Sequence, residues 1–175
     1  MFKSIVTAVD GSAHARKAVD IASDLTAKYG ARLTIIHVVG SGPVPPALAH
    51  MAEIEHLVKP KPGSSPENVS NVLGNLATIQ VGEGSAKVSH QIHAAVGEKI
   101  LNDAASAARE RGVDAVEVVL NDGEPVAEIL NAAKTANADL IVLGRRGLSE
   151  LKCLLLGSVS HKISQLADCP CLTVK

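Results

Sequence analysis

Short, nearly continuous apolar runs alternate along this chain with segments in which apolar residues recur every three to four positions. The runs predict five strands, at residues 5–9, 33–39, 115–120, 140–143 and 171–174. The helical spacing predicts helices over residues 15–25, 92–108, 126–133 and 159–166. Strands this apolar are typical of a parallel sheet that is buried on both faces. The alternation therefore predicts a single α/β domain with helices on both faces of a doubly wound parallel sheet.

Residues at the ends of these segments support the predicted boundaries. Ser12 follows the first strand and is expected to cap the next helix, which Gly30 should end. Gly112 is expected to end the second long helix. Pro125 is placed to occupy the first turn of the following helix, and Ser158 to cap the last one.

The regular pattern stops between residues 40 and 85, which form an irregular insertion rich in proline and glycine. Six of the eight prolines lie there: Pro43, Pro45, Pro46, Pro60, Pro62 and Pro66. Short helices are predicted near residues 47–58 and 67–76. A long irregular segment is compatible with a lid or a partner-binding flap, and equally with a tolerated surface insertion.

Composition excludes several classes of function. The formal net charge of −1 and the two aromatic residues, Phe2 and Tyr29, disfavour binding to nucleic acid or to an anionic membrane. No apolar run approaches the ~20 residues of a membrane span, and the first residues lack a signal-peptide pattern. Cys153, Cys169 and Cys171 fit a reducing compartment as small core residues. We therefore expect a cytoplasmic protein.

The candidate chemistry lies after the first and fourth strands. Asp10-Gly11-Ser12 follows the first, and Gly144-x-x-Gly147-x9-Gly157-Ser158 follows the fourth. Ligands of open α/β sheets bind beyond the carboxyl ends of the strands, where glycines and a helix N-terminus expose N–H groups to anions. The alternative is that these glycines only shape a turn. The chain contains neither a Walker A motif nor a G-x-G-x-x-G after the first strand, which disfavours the common NTPase and dinucleotide folds.

The complete motif resembles the G-2x-G-9x-G-S/T nucleotide motif of the universal stress protein (UspA-like) family. The resemblance covers most of the chain outside the insertion, including residues 5–12, 37–39, 138–144, 154–160 and 169–171. It implies an adenine nucleotide alpha hydrolase-like fold with strand order 3-2-1-4-5 over residues 1–175. It also implies the ATP-binding branch of the family and a role in the stress response.

The resemblance also implies which residues contact the nucleotide. Asp10 is expected near the ribose and the metal-bound phosphates, and Val38 at the adenine. The full set of expected contacts is Ala8, Val9, Asp10, Val38, Val39, Gly144, Arg145, Arg146, Gly147, Gly157, Ser158, Val159 and Ser160. Mg²⁺ or Mn²⁺ is expected with ATP, held by phosphate oxygens and water rather than by a protein cage.

This sequence departs from the usual family pattern at Arg145 and in the insertion. A small hydroxyl residue is frequent at the position of Arg145, whose side chain could pair with a phosphate or point to solvent. His90 and His93 share a helical face but have no evident third metal ligand. His37 is expected to be a hydrogen-bonded core residue.

Three functions follow as hypotheses. The first is a nucleotide-dependent regulatory module, which the resemblance implies is a homodimer, or a tetramer, paired through residues Cys171–Val174. The second is a slow ATPase, using charge from Arg145, Arg146 and Lys152 and a base such as Glu124 or Glu150. The third is a nucleotide-free protein that binds a partner. We favour the first and expect hydrolysis to be slow or absent.

Overall fold

The computed structural model describes residues 1–41, 44, 50, 52, 83–148 and 157–175. Most of the predicted irregular insertion, with its two short helices, lies outside the described residues, as do Glu150, Lys152 and Cys153. Two compact units divide the chain: one comprises Met1–Val38 with Lys99–Lys175, and the other comprises Val39–Glu98.

The described elements follow the predicted alternation of strands and helices. In chain order they are β1 (Ser4–Ala8), α1 (Ala13–Tyr29), β2 (Arg32–Val39), α2 (Glu83–Glu110), β3 (Val116–Asp122), α3 (Pro125–Thr135), β4 (Leu140–Gly144), α4 (Ser158–Leu166) and β5 (Cys171–Val174). Most predicted boundaries differ from these by one or two residues. The clear exception is α2, which begins at Glu83 and so includes the last residues of the predicted insertion. Glu83, Ala86 and Lys87 favour a helix, but Val88 is the one large apolar residue before Ile92, so hydrophobic spacing gave little signal for this part.

The strands form a parallel sheet in the order β3-β2-β1-β4-β5, which confirms the predicted topology. Strand β1 lies at the centre, where Ile5 is in register with Leu33 of β2 and with Leu140 of β4. The strand order reverses between β1 and β4, so this is the topological switch point at which ligands of open α/β sheets bind.

One face of the central strands forms a core with α3 and α4. Val6, Ile36, Ile141 and Ile163 are fully or almost fully buried and belong to one cluster that also includes residues of α3. Burying each such side chain contributes about 1.5–3 kcal/mol. This packing joins α3 and α4 to the sheet and so fixes the loops that emerge at its carboxyl edge.

Local capping agrees with the sequence at α1. The Ser12 hydroxyl oxygen accepts a hydrogen bond from the Ala15 N–H at 3.1 Å, and Gly30 ends the helix with a φ of 61°. Gly112, with a φ of 82°, follows the end of α2, and Pro125 is the first residue of α3. None of the helices in the described part of the chain is both long enough and apolar enough to cross a bilayer.

Candidate functional site

A cavity of about 300 Å³ opens at the carboxyl ends of β1, β2 and β4. Two sets of residues line it. One is aliphatic and comes mainly from the strands and α3: Ala8, Val9, Ala15, Ile36, Val38, Pro125, Ile129 and Leu143. The other comes from the loops: Asp10, Gly144, Arg146, Gly147, Leu148, Gly157, Ser158, Val159 and Ser160. Among the described residues, the cavity thus combines an apolar wall with main-chain amides and one cationic side chain, that of Arg146.

The turn between β1 and α1 is tied to the loop after β4. The Asp10 carboxylate accepts the Ser12 N–H at 2.9 Å through Oδ1 and the Leu148 N–H at 3.1 Å through Oδ2. The Ser12 hydroxyl donates to the Arg146 carbonyl oxygen at 3.3 Å. The contacts of Asp10 with Leu148 and of Ser12 with Arg146 join residues more than 130 positions apart, so they fix the cavity wall.

Three glycines of the motif are required by close approach within the protein itself. A β-carbon on Gly144 would lie 2.8 Å from the Ala15 nitrogen and from the His14 carbonyl carbon, both main-chain atoms. One on Gly147 would overlap Oδ2 of Asp10, and one on Gly157 would lie 3.0 Å from the Arg145 oxygen. The glycines therefore do shape the loop, as the alternative explanation holds. The same close packing also leaves the main chain exposed at the cavity.

The first N–H groups of α4 have no acceptor within the helix. Gly157 is the N-cap, and its own N–H donates to the Arg145 oxygen at 2.8 Å. The expectation that Ser158 caps this helix was wrong: Ser158 is the first helical residue, and no side chain makes a capping hydrogen bond. The His161 N–H is bonded to the Gly157 oxygen at 2.9 Å, so the preceding N–H groups of the first turn have no acceptor within the helix. Such an end attracts anions.

The hydroxyl of Ser160 is used within the protein. Its Oγ lies 3.1 Å from the carbonyl oxygens of both Arg145 and Gly157, so a single proton is shared between them. The residue is buried. Ser160 therefore offers its main-chain N–H, rather than its side chain, to the cavity.

The two adjacent arginines differ in position. Arg146 lines the cavity and Arg145 does not. The Arg145 N–H donates to the Val174 oxygen at 2.7 Å, which continues the pairing of β4 with β5. The Nε atoms of both arginines are buried and have no hydrogen-bond partner among the described residues, so only the lining of the cavity distinguishes the two side chains. Arg146 is thus the cation that an anionic ligand in the cavity would meet.

Most of the residues expected at the site line this one cavity; of the thirteen, only Val39 and Arg145 do not. Sequence reasoning missed the contributions of Ala15, Ile36, Pro125, Ile129, Leu143 and Leu148. Side chains of β1, β2 and β4 alternate between the two faces of the sheet, and α3 has one apolar face. These two patterns could have indicated the aliphatic residues of the cavity.

Other candidate residues have structural roles. Glu124 is exposed and caps α3, where its Oε2 accepts the Ala127 N–H at 2.9 Å. His37 is buried and donates from Nδ1 to the Val9 oxygen at 2.8 Å, which confirms it as a hydrogen-bonded core residue. His93 is buried and donates from Nδ1 to the Ser89 oxygen at 2.9 Å. Within the described ranges, no three His, Cys, Asp or Glu side chains gather in a way that could hold a metal ion.

Cys169 and Cys171 are free thiols and are partly buried. Burial raises the pKa of the Cys169 thiol, and the nearby charges of Asp139 and Asp168 raise it further. Burial also raises the pKa of Cys171, with a smaller effect from Cys169. A raised thiol pKa lowers the fraction of reactive thiolate, so these residues are suited to packing rather than to redox chemistry.

The raised pKa values of Cys169 and Cys171 in the folded protein predict that both thiols are alkylated slowly. At about pH 8, iodoacetamide should modify Cys169 and Cys171 more slowly in the folded protein than in urea, because the folded thiols have the higher pKa. The associated stabilisation is present below the unfolded pKa and is lost as the pH rises through the folded pKa. Tandem mass spectrometry of the peptide that contains both thiols, in a Cys153→Ser background, locates the label and measures the rates. Equal or faster labelling of the folded protein would contradict this prediction.

Comparisons with known proteins agree with the fold and the motif. The model of the universal stress protein family matches residues 1–175. Universal stress protein YxiE of Bacillus subtilis is 37% identical over 175 residues, covering 100% of both chains. A universal stress protein of Thermus aquaticus, from the 3′ region of QAH/OAS sulfhydrylase, is 33% identical over the same length, again with complete coverage of both chains.

Solved structures share the fold at lower identity. A universal stress protein in complex with cAMP is 24% identical, with a TM-score of 0.60 over 99% of this chain and 97% of that one. The universal stress protein of Archaeoglobus fulgidus in complex with dAMP is 19% identical, with a TM-score of 0.57 over 99% and 98%. With the family model and two relatives matching over the full length, the chain belongs to the universal stress protein family.

Proposed function

We propose that this protein binds ATP, with Mg²⁺ or Mn²⁺, in the cavity at the carboxyl edge of the sheet, and that the nucleotide regulates it in the stress response. The observation that carries the proposal is the first turn of α4. Its N–H groups lack helical acceptors and line the cavity beside Arg146 and three glycines. A phosphate chain satisfies such donors and complements the positive end of the helix.

The aliphatic wall suits the base. A purine can be held between side chains such as Val38, Pro125 and Ile129, which line the cavity without an aromatic ring. The complexes of family members with cAMP and dAMP support adenine as the base. The choice of ATP rests on the phosphate-binding features, which exceed what a monophosphate needs.

A divalent cation fits this site if phosphate oxygens and water, rather than protein side chains, supply its ligands. Asp10 is the one carboxylate among the described residues that line the cavity, and both of its oxygens accept main-chain N–H groups. The protein therefore supplies no cage, and the cation would be held by phosphate oxygens and water, as is common for Mg²⁺. When bound, it would neutralise phosphate charge close to Asp10.

The same arrangement favours a switch over an ATPase. A hydrolase needs a group that positions the attacking water; Glu124 is occupied as a helix cap, and Glu150, the other candidate, lies outside the described residues. We therefore expect turnover well below the ~1 per second of an ordinary enzyme. Regulation would follow if the nucleotide binds one assembly or loop state better than another, since a ligand shifts an equilibrium only by its differential affinity.

The proposed assembly is a homodimer through β5, in the cytoplasm. Strand β5 is at the edge of the sheet, and Leu172 is 38% exposed. An apolar edge strand pairs readily with a second copy, which would also cover it. Cys169 and Cys171 are partly buried and suited to packing, which is compatible with a reducing compartment.

Two measurements test the proposal. Nucleotide released from freshly purified protein by denaturation is identified by mass spectrometry, and calorimetry with added Mg-ATP gives the dissociation constant. We expect adenine nucleotide in the first and saturable binding in the second. Absence of both would favour the third hypothesis, a partner-binding protein without nucleotide.

The two arginines provide a matched pair of variants. Arg146→Gln should weaken Mg-ATP binding by about tenfold to a hundredfold, the effect of losing a charged hydrogen-bond donor to phosphate. Arg145→Gln should change it little, because its side chain does not line the cavity. Calorimetry with ATP and with AMP measures both, and the loss should be smaller for AMP. If Arg145→Gln were the more damaging variant, the assignment of the phosphate position would be wrong.

A further inference from the structure

We propose that Arg145 of one copy of this protein forms an ion pair with Asp168 of a second copy, across the edge strand β5. The pair rests on the proposed function, which includes the homodimer through β5, and adds a contact that favours one orientation of the two copies. A small hydroxyl residue is frequent at position 145 in the family, so the pair is a feature of this chain. Arg145 does not line the cavity, which leaves its charge available to a partner.

Arg145 lies at the carboxyl end of β5. Gly144 is in register with Val174, and the Arg145 N–H donates to the Val174 oxygen at 2.7 Å. The Nε atom of Arg145 is buried, and the side chain forms no ion pair or hydrogen bond with any described residue. A partly buried guanidinium without an acceptor has lost solvation that a carboxylate can replace.

The amino end of β5 carries negative charge. Asp168 is exposed and lies three residues before Cys171, where β5 begins. Burial raises the pKa of the Cys169 thiol, and the charges of Asp139 and Asp168 raise it further, so both carboxylates lie near this end. Asp139 already accepts the Lys3 N–H at 2.7 Å, whereas Asp168 has no ion-pair partner among the described residues.

One copy cannot pair these two charges by itself. The four residues of β5 span about 13 Å, well beyond the ~4 Å of an ion pair. Antiparallel pairing of β5 with a second copy brings the carboxyl end of one strand beside the amino end of the other. Arg145 then lies two strand spacings, about 10 Å, from the main chain of the second copy, which an extended arginine and an aspartate span together.

The symmetry of such a dimer makes the charges complementary. A two-fold axis repeats every contact, so Arg145 and Asp168 meet twice in each dimer. Parallel pairing would instead place Arg145 beside Arg145 and Asp168 beside Asp168. Because complementary charges mainly select orientation and partner, the pair specifies the antiparallel dimer.

Exposed apolar side chains favour a second copy as the occupant of this edge. Leu172 of β5 is 38% exposed, and Leu166 at the end of α4 is 62% exposed. A paired strand satisfies the free main-chain groups of an edge strand and also covers neighbouring apolar residues. The edge thus combines an apolar surface with opposite charges at its two ends.

Sedimentation of nucleotide-free protein over a range of concentrations tests the pair. Arg145→Glu should raise the dissociation constant of the dimer by about tenfold or more, because like charges then face each other twice. Asp168→Arg should do the same, and the double variant should return to within about threefold of the wild type, since the pair is restored in reverse. Arg109→Glu, the same charge change at an exposed position of α2, should leave the constant unchanged.

The possible failures are distinguishable. An unchanged dissociation constant in Arg145→Glu, or a double variant no better than the single ones, would overturn the pair and leave the homodimer in place. A wild-type protein that stays monomeric at high concentration would contradict both the pair and the homodimer. Binding of Mg-ATP is decided separately by calorimetry.

Cross-linking tests the geometry independently of affinity. Arg145→Cys and Asp168→Cys are made separately, each with the native cysteines replaced by serine, and are treated with a short bis-maleimide. A mixture of the two should give covalent dimers, and each mixed dimer keeps one ion pair. Either variant alone should give none, because antiparallel pairing holds equivalent positions at opposite ends of the interface. Covalent dimers from Arg145→Cys alone would overturn the proposal.

Discussion

Gly147→Val is expected to abolish useful Mg-ATP binding, raising the dissociation constant by at least about a hundredfold, which corresponds to ~2.7 kcal/mol. The β-carbon would occupy the position of the Asp10 Oδ2 atom, and the two methyl groups must displace the loop or enter the cavity. The sheet should remain folded, because the side chain lies at its edge and not in its core. Calorimetry with Mg-ATP measures the loss, and circular dichroism checks the fold.

Gly30→Asn is the matched control for this substitution. Gly30 ends α1 with a φ of 61°, a conformation that asparagine tolerates, and an added β-carbon would meet nothing within 4 Å. This variant should bind Mg-ATP as the wild type does. If Gly147→Val also bound ATP normally, the cavity would not be the phosphate site.

Gly144→Ala is expected to lower the free energy of unfolding by about 1–3 kcal/mol, the usual range for overpacking. Its β-carbon would lie 2.8 Å from main-chain atoms of His14 and Ala15, which cannot rotate away as a side chain would. Relief requires a shift of α1 against β4, two elements that pack directly together. Urea unfolding followed by circular dichroism measures the change.

The control for Gly144→Ala separates crowding from backbone conformation. Gly30→Ala adds the same methyl group in open space, so its cost comes from the left-handed conformation alone, about 1–2 kcal/mol. Nucleotide binding should be impaired by Gly144→Ala and preserved by Gly30→Ala. A Gly144→Ala protein with wild-type stability and binding would show that the approach of α1 to β4 is looser than described.

The sequence predicted the architecture well because the spacing of apolar residues differs clearly between the buried strands and the amphipathic helices. Strand order could not come from period alone and depended on the family resemblance. The start of α2 at Glu83 was missed because Val88 is the one large apolar residue between Glu83 and Ile92, so hydrophobic spacing gave little signal there.

The site was predicted in its main-chain features and less well in its side chains. The glycine motif marks the loop directly, but nothing in two adjacent arginines indicates that Arg146 rather than Arg145 lines the cavity. The hydrogen bond from Leu148 to Asp10 joins distant positions and depends on how the loop folds back. The assignment of Ser158 as a cap failed because Gly157, with extended dihedral angles, already occupies that position.

The glycines illustrate why one motif supports two explanations. Each is required where the main chain of the loop approaches α1, Asp10 or Arg145, with or without a ligand. That close packing also places the first turn of α4 at the cavity, where its N–H groups have no acceptor within the helix. Structural and functional demands on these residues therefore coincide.

A titration of ¹⁵N-labelled protein with Mg-ATP, followed by amide NMR, tests the account most directly. We expect the amide signals of Gly147, Ser158, Val159 and Ser160 to move together and to saturate with a single dissociation constant, because these groups would donate to phosphate. Adenosine, which lacks phosphates, should leave them nearly unchanged. Saturable binding of ATP that leaves these four amides unmoved would contradict the account.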